Sequence, residues 1–215
     1  MKKIYCISGL GADERAFSKL TITDFQLVVI PWLKPELKET IQQYTTRMRA
    51  GIAEENPVLM GLSFGGMVCT EIAKQITVKK IILISSVKSS DELPVWMRTV
   101  AALQLHKIVP LKSTRLTQPI QNRMLGVESE EEKKLVATLR QEVDLPYTKW
   151  AVDQAINWKN NWQHPNLYHI HGDNDHMFPL KNIKADCVIK KGGHFMIMNR
   201  AAEVSHYVNS ILQEQ

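Results

Sequence analysis

The sequence contains few cysteines, and they lie far apart. The three cysteines among 215 residues, Cys6, Cys69 and Cys187, each fall in an apolar stretch. An odd number of widely spaced thiols argues against a disulfide framework. No cysteine or carboxylate stands at a spacing that would complete a zinc site with the histidines between residues 164 and 176. We therefore expect buried, reduced thiols in a reducing compartment such as the cytoplasm, and no metal or other cofactor.

Long apolar runs are also missing. No stretch approaches the roughly 18 apolar residues of a membrane-spanning helix, so we expect no membrane span. The segment from Ile4 to Ala12 follows two lysines, as in a secretion signal, but Asp13-Glu14-Arg15 interrupts it and no small-residue cleavage site follows. We interpret this segment as a first strand. With 44% hydrophobic residues, the chain has the length and composition of one domain.

Acidic residues are absent between Leu93 and Val127, in a chain of formal net charge +5. Five basic residues lie in this stretch: Arg98, Lys107, Lys112, Arg115 and Arg123. These residues could form either a solvated helical face or a surface for an acidic partner or an anionic substrate. Aromatic and basic residues do not interleave as in nucleic-acid-binding segments, so we expect no nucleic-acid partner.

The first loop lacks the features of a dinucleotide site. Gly9-x-Gly11 has no third glycine at the required position. No acidic residue ends the next predicted strand, where such a residue would bind a ribose. The loop therefore does not predict nucleotide binding.

Apolar runs alternate with amphipathic stretches in the first and last parts of the chain. Strands are predicted at 3–7, 25–30, 57–60, 80–85, 166–171 and 186–189, with helices near 13–20, 36–55, 67–74 and 195–212. Between 88 and 161 only helical patterns occur, near 94–107, 116–125, 129–143 and 147–158. The order predicts an α/β fold, a three-layer αβα sandwich with a six-stranded, mainly parallel sheet. Residues 1–87 and 162–215 would form this core, and 88–161 a helical cap insertion.

A predicted strand and helix meet at the pentapeptide Gly61-Leu62-Ser63-Phe64-Gly65. A Gly-x-Ser-x-Gly sequence in this context indicates a sharp turn that exposes the serine hydroxyl at its apex. The glycines leave room for the strand and the helix to approach each other. A strand-turn-helix crossover without a catalytic serine is the alternative that this motif alone leaves open.

Two further candidate groups follow later strands: Asp173 or Asp175 after the fifth, and His194 after the sixth. In a parallel sheet these loops share one edge, so residues distant in sequence can meet there. The chain order is Ser, Asp, His, and the segments concerned are His-Gly-Asp-Asn-Asp-His-Met-Phe-Pro from residue 171 and Gly-Gly-His-Phe from residue 192. In these features the sequence resembles the α/β-hydrolase superfamily over essentially its whole length.

The resemblance implies a role for each group. Ser63 would be the nucleophile, His194 the general base and acid, and Asp175, the third residue after the glycine, the acid that orients His194. Asp173 would then be a loop neighbour. Asp91, after the fourth strand, is a remote alternative because some members of the superfamily place the acid there.

The resemblance also implies an oxyanion hole made of the backbone amides of Leu10 and Phe64. The chain departs from the family in two respects. The usual His-Gly of the first loop is Ser8-Gly9 here, so different hydrogen bonds must support the loop. The two strands that commonly precede this loop have no counterpart, so we expect a small member with a six-stranded parallel sheet.

The activity implied is hydrolysis of a carboxylic ester or thioester. Apolar residues of the cap and of the histidine loop are candidates for a substrate pocket, although each also suits the core: Trp96, Met97, Met124 and Phe195. The basic stretch near the cap would suit a small-molecule substrate linked to a carrier protein or to coenzyme A. A ligand-binding or ligand-sensing protein with little turnover is an alternative function, and so is hydrolysis of an amide or C–C bond.

Overall fold

A computed structural model describes residues 1–108 and 114–214 of the chain. Six strands form one sheet in the order β2-β1-β3-β4-β5-β6, and every neighbouring pair is parallel. Their bounds are Lys2–Ile7 (β1), Phe25–Val29 (β2), Val58–Leu62 (β3), Lys80–Ile84 (β4), Leu167–Gly172 (β5) and Cys187–Ile189 (β6). The predicted α/β fold with a six-stranded sheet is confirmed.

The central strands send side chains alternately into two hydrophobic clusters. In β1, Ile4 and Cys6 belong to one cluster, and Tyr5 and Ile7 belong to the other. All residues of β3 and β4 are buried, as parallel strands covered on both faces must be. The sheet is therefore the middle of three layers.

Eight α-helices lie within the described residues. They are Ile41–Met48 (α1), Phe64–Ala73 (α2), Val95–Ala102 (α3), Gln118–Leu125 (α4), Glu130–Gln141 (α5), Leu145–Ile156 (α6), Met196–Asn199 (α7) and Ala201–Gln213 (α8). Buried residues of α1, α2, α3 and α6 join the cluster of Tyr5, whereas those of α5, α7 and α8 join the cluster of Ile4.

Several predicted helices have different bounds, among them the one predicted at 94–107, which ends at Ala102. The predicted helix at 13–20 is only a 3-10 turn, Glu14–Phe17, capped by Asp13. The helix predicted from residue 36 begins at Ile41, because Thr40 and Gln43 form a reciprocal capping box. The final helix is divided at Arg200, whose φ of −129° is not helical.

The two ends of the segment 88–161 lie side by side. Ser90 donates its backbone N–H to the carbonyl of Asn160 at 2.8 Å, and the amide side chain of Asn160 donates to the carbonyl of Lys88 at 2.7 Å. The Asn160 N–H also donates to the Ser90 hydroxyl at 2.6 Å. These hydrogen bonds between the two ends of the segment support our proposal that 88–161 is a cap inserted into a core formed by 1–87 and 162–215.

Over residues 1–108 and 114–214, none of the helices has both the length and the apolar character needed to cross a lipid bilayer.

Candidate active site

β3 and α2 meet at Ser63, in a conformation that few non-glycine residues adopt. Its φ is 52° and its ψ is −120°. The turn is held on both sides: Ser63 donates its N–H to the carbonyl of Ile84 at 3.0 Å, and the hydroxyl of Ser86 donates to the Ser63 carbonyl at 2.6 Å. These bonds fix a strained turn that leaves the Ser63 side chain partly exposed.

This turn between β3 and α2, called the elbow below, requires glycine where backbones pass close to each other. A Cβ atom on Gly65 would lie 2.2 Å from the carbonyl oxygen of Ile7 and 2.3 Å from that of Ser8. A Cβ on Gly61 would lie 2.5 Å from the carbonyl oxygen of Gly65. Any side chain at either position would push the first loop or the helix away from Ser63.

His194 lies in the loop after β6 and bonds to both other members of the predicted triad. Its Nε2 is 2.8 Å from the Oγ of Ser63, and its Nδ1 is 2.8 Å from the Oδ2 of Asp175. An ionised carboxylate can only accept, so Nδ1 carries the proton and donates it. Nε2 is then free to accept the Ser63 hydroxyl proton, the arrangement that a nucleophile and its base require.

Asp175 is held as a buried acceptor. Its Oδ1 accepts the backbone N–H groups of Met177 at 2.8 Å and Phe178 at 2.9 Å. Burial alone raises the pKa of Asp175, but the charge of a protonated His194 and the hydrogen bonds outweigh it, so the pKa is lowered overall. The carboxylate is therefore ionised at neutral pH.

The other two candidate acids lie elsewhere. Asp173 accepts the backbone N–H of Lys191 at 2.6 Å and so closes the turn after β6. Asp91 is exposed in a 3-10 turn at the start of the 88–161 segment. The structure thus brings Asp175 to His194 and places Asp173 and Asp91 in other positions.

A buried histidine supports the loop that carries the acid. His171 donates from Nε2 to the carbonyl of Phe178 at 2.8 Å, and this nitrogen is 3.6 Å from the Oδ2 of Asp175. Burial lowers the pKa of His171 and, further, that of its neighbour His169. A neutral His171 therefore positions the Phe178 end of the turn that wraps around Asp175.

The first loop lies beside Ser63 and carries one of the two predicted oxyanion groups. A Cβ on Gly9 would lie 3.5 Å from the Cβ of Ser63, and Leu10 is the next residue. Phe64 begins α2, so its N–H has no partner in the helix. Within the described residues, neither amide donates to another protein group. Both amides remain our predicted oxyanion donors.

Ser8, at the position where the resemblance predicts histidine, holds the first loop through hydrogen bonds of its hydroxyl. Its hydroxyl donates to the carbonyl of Ala12 at 2.7 Å and accepts the indole N–H of Trp32 at 2.9 Å. Trp32 follows β2, so the loop after β1 is fastened to the neighbouring strand end. The sequence indicated that other hydrogen bonds must support this loop, but it did not indicate that Trp32 would form one of them.

Comparisons with known proteins decide the fold. No protein-family model matches the sequence, and no curated protein matches it. Among solved structures, a bromoperoxidase from Bacillus anthracis is 14% identical with a TM-score of 0.69, over 99% of this chain and 92% of that one. An esterase from Exiguobacterium antarcticum is 13% identical with a TM-score of 0.68, over 100% and 92%. A meta-cleavage product hydrolase from Pseudomonas fluorescens is 14% identical with a TM-score of 0.72, over 99% and 90%. The chain has the α/β-hydrolase fold.

This α/β-hydrolase fold alone does not fix the reaction. The three similar structures carry three different descriptions, and one fold supports many chemistries through different site residues. The reaction must therefore be argued from the side chains around Ser63.

An aromatic cluster around Phe64, the residue after Ser63, was not predicted. The ring of Trp32 stacks on Phe64, with centroids 5.7 Å apart, and lies 5.3 Å from the ring of Tyr147. Trp150, one helical turn after Tyr147, meets Phe64 edge-on at 6.2 Å. The Tyr147 hydroxyl is buried and has no partner within the described residues. Spacing indicates that Tyr147 and Trp150 share a helix face, but gives no sign that this face meets Phe64.

The four predicted pocket residues do not gather into one packed group. Met97 and Phe195 are both 8% exposed but belong to different hydrophobic clusters. Trp96 is 46% exposed, and Met124 is half-buried.

Over residues 1–108 and 114–214 there is no group of three or more His, Cys, Asp or Glu residues that could hold a metal ion.

Proposed function

We propose that this protein is a serine hydrolase that cleaves a carboxylic ester or thioester through an acyl-enzyme intermediate. One observation carries the proposal: the hydrogen-bonded line from the Ser63 hydroxyl through the imidazole of His194 to the carboxylate of Asp175. A buried, ionised acid behind a histidine that faces a strained serine is the arrangement that activates a hydroxyl for acyl transfer.

The chemistry follows from these positions. The Oγ of Ser63 attacks the substrate carbonyl carbon while Nε2 of His194 takes its proton. The amides of Leu10 and Phe64 donate to the oxyanion of the tetrahedral intermediate. The intermediate expels an alcohol or thiol, which takes the proton from His194, and the acyl group remains on Ser63. Water then attacks the acyl carbonyl while His194 takes its proton, the carboxylic acid leaves, and the Ser63 oxygen takes the proton back from His194.

The surroundings of Phe64 favour an acyl group without charge. Trp32, Tyr147 and Trp150 present aromatic surface beside the residue that follows the nucleophile. Burial in such surroundings would cost a charged group much of its solvation energy. The Tyr147 hydroxyl is buried and is the polar group of this cluster that has no partner within the described residues.

A narrower substrate class, acyl groups linked to a carrier or to coenzyme A, has one supporting observation. An open groove of about 560 Å³ is lined by Arg115, Arg123 and Lys133 among other residues. Its cationic side chains would suit phosphates or acidic side chains attached to such a substrate.

The proposed compartment is the cytoplasm, and the cysteines support it. Cys6, Cys69 and Cys187 are all free thiols, and burial raises the pKa of each. Protonated, unpaired thiols suit a reducing environment.

The experiment is a screen of the purified protein against short and long acyl esters of a chromogenic alcohol, the matching acyl-coenzyme A thioesters, and anilides as amide substrates. Ser63→Ala is measured beside the native protein. We expect turnover of esters or thioesters with a pre-steady-state burst, and none with Ser63→Ala. Ligand binding without turnover of any substrate would instead indicate a sensing protein.

A further inference from the structure

The segment that lacks acidic residues also exposes large apolar side chains. Seven of them lie between residues 95 and 120, with exposures of 36% to 88%: Val95, Trp96, Leu103, Leu105, Ile108, Leu116 and Ile120. Exposed apolar residues scattered singly need no explanation, but a concentration of them marks an interaction site. We call the exposed side chains of 95–108 and 114–123 the cap surface, and that these two stretches meet the same partner is part of the proposal below.

Basic residues accompany these apolar side chains. Arg98, Lys107, Arg115 and Arg123 are exposed, and none of them forms an ion pair within the described residues. Lys112, the fifth basic residue of the stretch, lies outside the described residues. The cap surface therefore combines unpaired positive charge with exposed apolar area.

Spacing places apolar side chains on common helix faces, and on α4 a cation joins them. Leu116, Ile120 and Arg123 follow one another at spacings of four and three along the turn that leads into α4 and along α4 itself. Trp96 and Leu103 are seven residues apart at α3 and lie on one face in the same way. None of the residues of α4 is buried.

The C-terminal end of α4 lies against the loop that carries His194. Phe195 donates its N–H to the carbonyl of Leu125 at 2.7 Å, and the side chain of Asn199 donates to the carbonyl of Gly126 at 3.0 Å. A Cβ on Gly126 would lie 3.0 Å from the Cα of Gly193. A molecule held on α4 is thereby close to the catalytic loop.

We propose that the cap surface docks on an anionic lipid surface, where Ser63 takes acyl esters from the lipid. The docking stands on the cap surface alone, whereas the lipid-borne substrate rests on the function proposed above. Segments that lie in the membrane interface interleave Leu, Ile and Trp with Lys and Arg. Their apolar side chains enter the boundary of the acyl chains, and their cations meet anionic headgroups. An acidic carrier protein would match the cations but does not require this much exposed apolar area.

Vesicle co-sedimentation tests the docking. The Ser63→Ala protein, which cannot consume substrate, is mixed with vesicles of phosphatidylcholine alone or with phosphatidylglycerol in place of part of it. We expect partition onto the anionic vesicles, weakened by salt. Arg115→Gln/Arg123→Gln and Leu116→Ser/Ile120→Ser should each weaken partition by roughly tenfold or more, because each removes two interfacial groups.

Matched controls change exposed residues away from the cap surface. Lys181→Gln/Lys190→Gln removes two exposed cations, and Leu37→Ser removes a leucine that is 94% exposed. Both should partition as the parent does. Lipids brominated on the acyl chain should quench tryptophan fluorescence, and Trp96→Phe should remove most of that quenching.

The outcomes separate the docking from the chemistry. If Ser63→Ala partitions as expected while the native protein hydrolyses nothing, the docking stands and the proposed hydrolase function fails. Equal partition onto both kinds of vesicle, or onto neither, overturns the docking. Loss of turnover of an acyl-carrier substrate in Arg115→Gln/Arg123→Gln without vesicle binding would assign the surface to an acidic protein. A dimer that Leu116→Ser/Ile120→Ser converts to a monomer, again without vesicle binding, would assign it to a second copy of the chain.

Discussion

Asp175 and His194 follow different strands, and the Nδ1–H of His194 donates to the Oδ2 of Asp175 at 2.8 Å. The parallel pairing of β5 with β6 places both following loops at one edge of the sheet. The acid in turn accepts two backbone N–H groups, so neither partner is free to rotate away. This pair fixes the tautomer of His194 that leaves Nε2 facing Ser63.

The two aspartates of this loop should therefore differ in their importance for catalysis. Asp175→Asn should lower kcat by up to about 10⁴-fold, because an amide stabilises neither the correct tautomer nor the imidazolium. Asp173→Asn, the matched control, should lower kcat far less, because Asp173 only accepts the N–H of Lys191. The measurement is kcat with the best ester of the screen, and a larger loss at Asp173 would contradict the assignment.

Close backbone contacts at the elbow predict that a side chain at Gly65 lowers the stability of the fold. Gly65→Ala should lower the free energy of unfolding by about 1–3 kcal/mol or more, because the new methyl group would overlap two carbonyl oxygens of the first loop. Gly9→Ala is the control, because its methyl group would meet the Cβ of Ser63 at an ordinary 3.5 Å. Urea unfolding measures both variants. Equal losses would show that the close approach at Gly65 does not constrain the fold.

Buried histidines give the stability a predictable pH dependence. Burial lowers the pKa of His169 well below the ordinary 6.5, so the folded chain keeps it neutral where the unfolded chain binds a proton. The free energy of unfolding should thus fall as the pH drops below 6.5, by up to about 1.4 kcal/mol per pH unit for this histidine. His171, whose pKa is also lowered, should add to this dependence.

His169→Leu and His169→Gln should both reduce that slope, whatever their effect on stability at neutral pH. His206→Gln is the matched control, because its ring is exposed in the folded chain. Urea unfolding at a series of pH values measures the slope. An unchanged slope in both His169 variants would mean that this histidine is protonated in the folded chain as readily as in the unfolded one.

The sheet and the order of the candidate triad could be predicted because both are encoded locally. Apolar runs mark strands, and Ser63, Asp175 and His194 each stand in the loop or turn that follows one. Helix bounds were less predictable because the apolar stripe from residue 36 to 55 conceals the cap at Thr40. The pair Thr40 and Gln43 was a readable signal for that cap.

The contacts that shape the site could not be predicted in the same way. Trp32 reaches Ser8 across 24 residues, and Tyr147 comes from the segment between β4 and β5. Such contacts depend on how far each loop extends from the sheet edge, which no periodic pattern records. The same limit applies to the predicted pocket, where apolar character alone did not separate the buried Met97 from the half-exposed Trp96.

The central claim is that Ser63 is a covalent nucleophile, and labelling with a fluorophosphonate probe tests it most directly. Intact-mass measurement of the native protein should show one added phosphonyl group, and peptide mass spectrometry should locate it on Ser63. Ser63→Ala should not react, and Asp175→Asn should react much more slowly because His194 loses its orientation. A label that persists in Ser63→Ala, or that maps to another serine such as Ser85 or Ser86, would contradict the account.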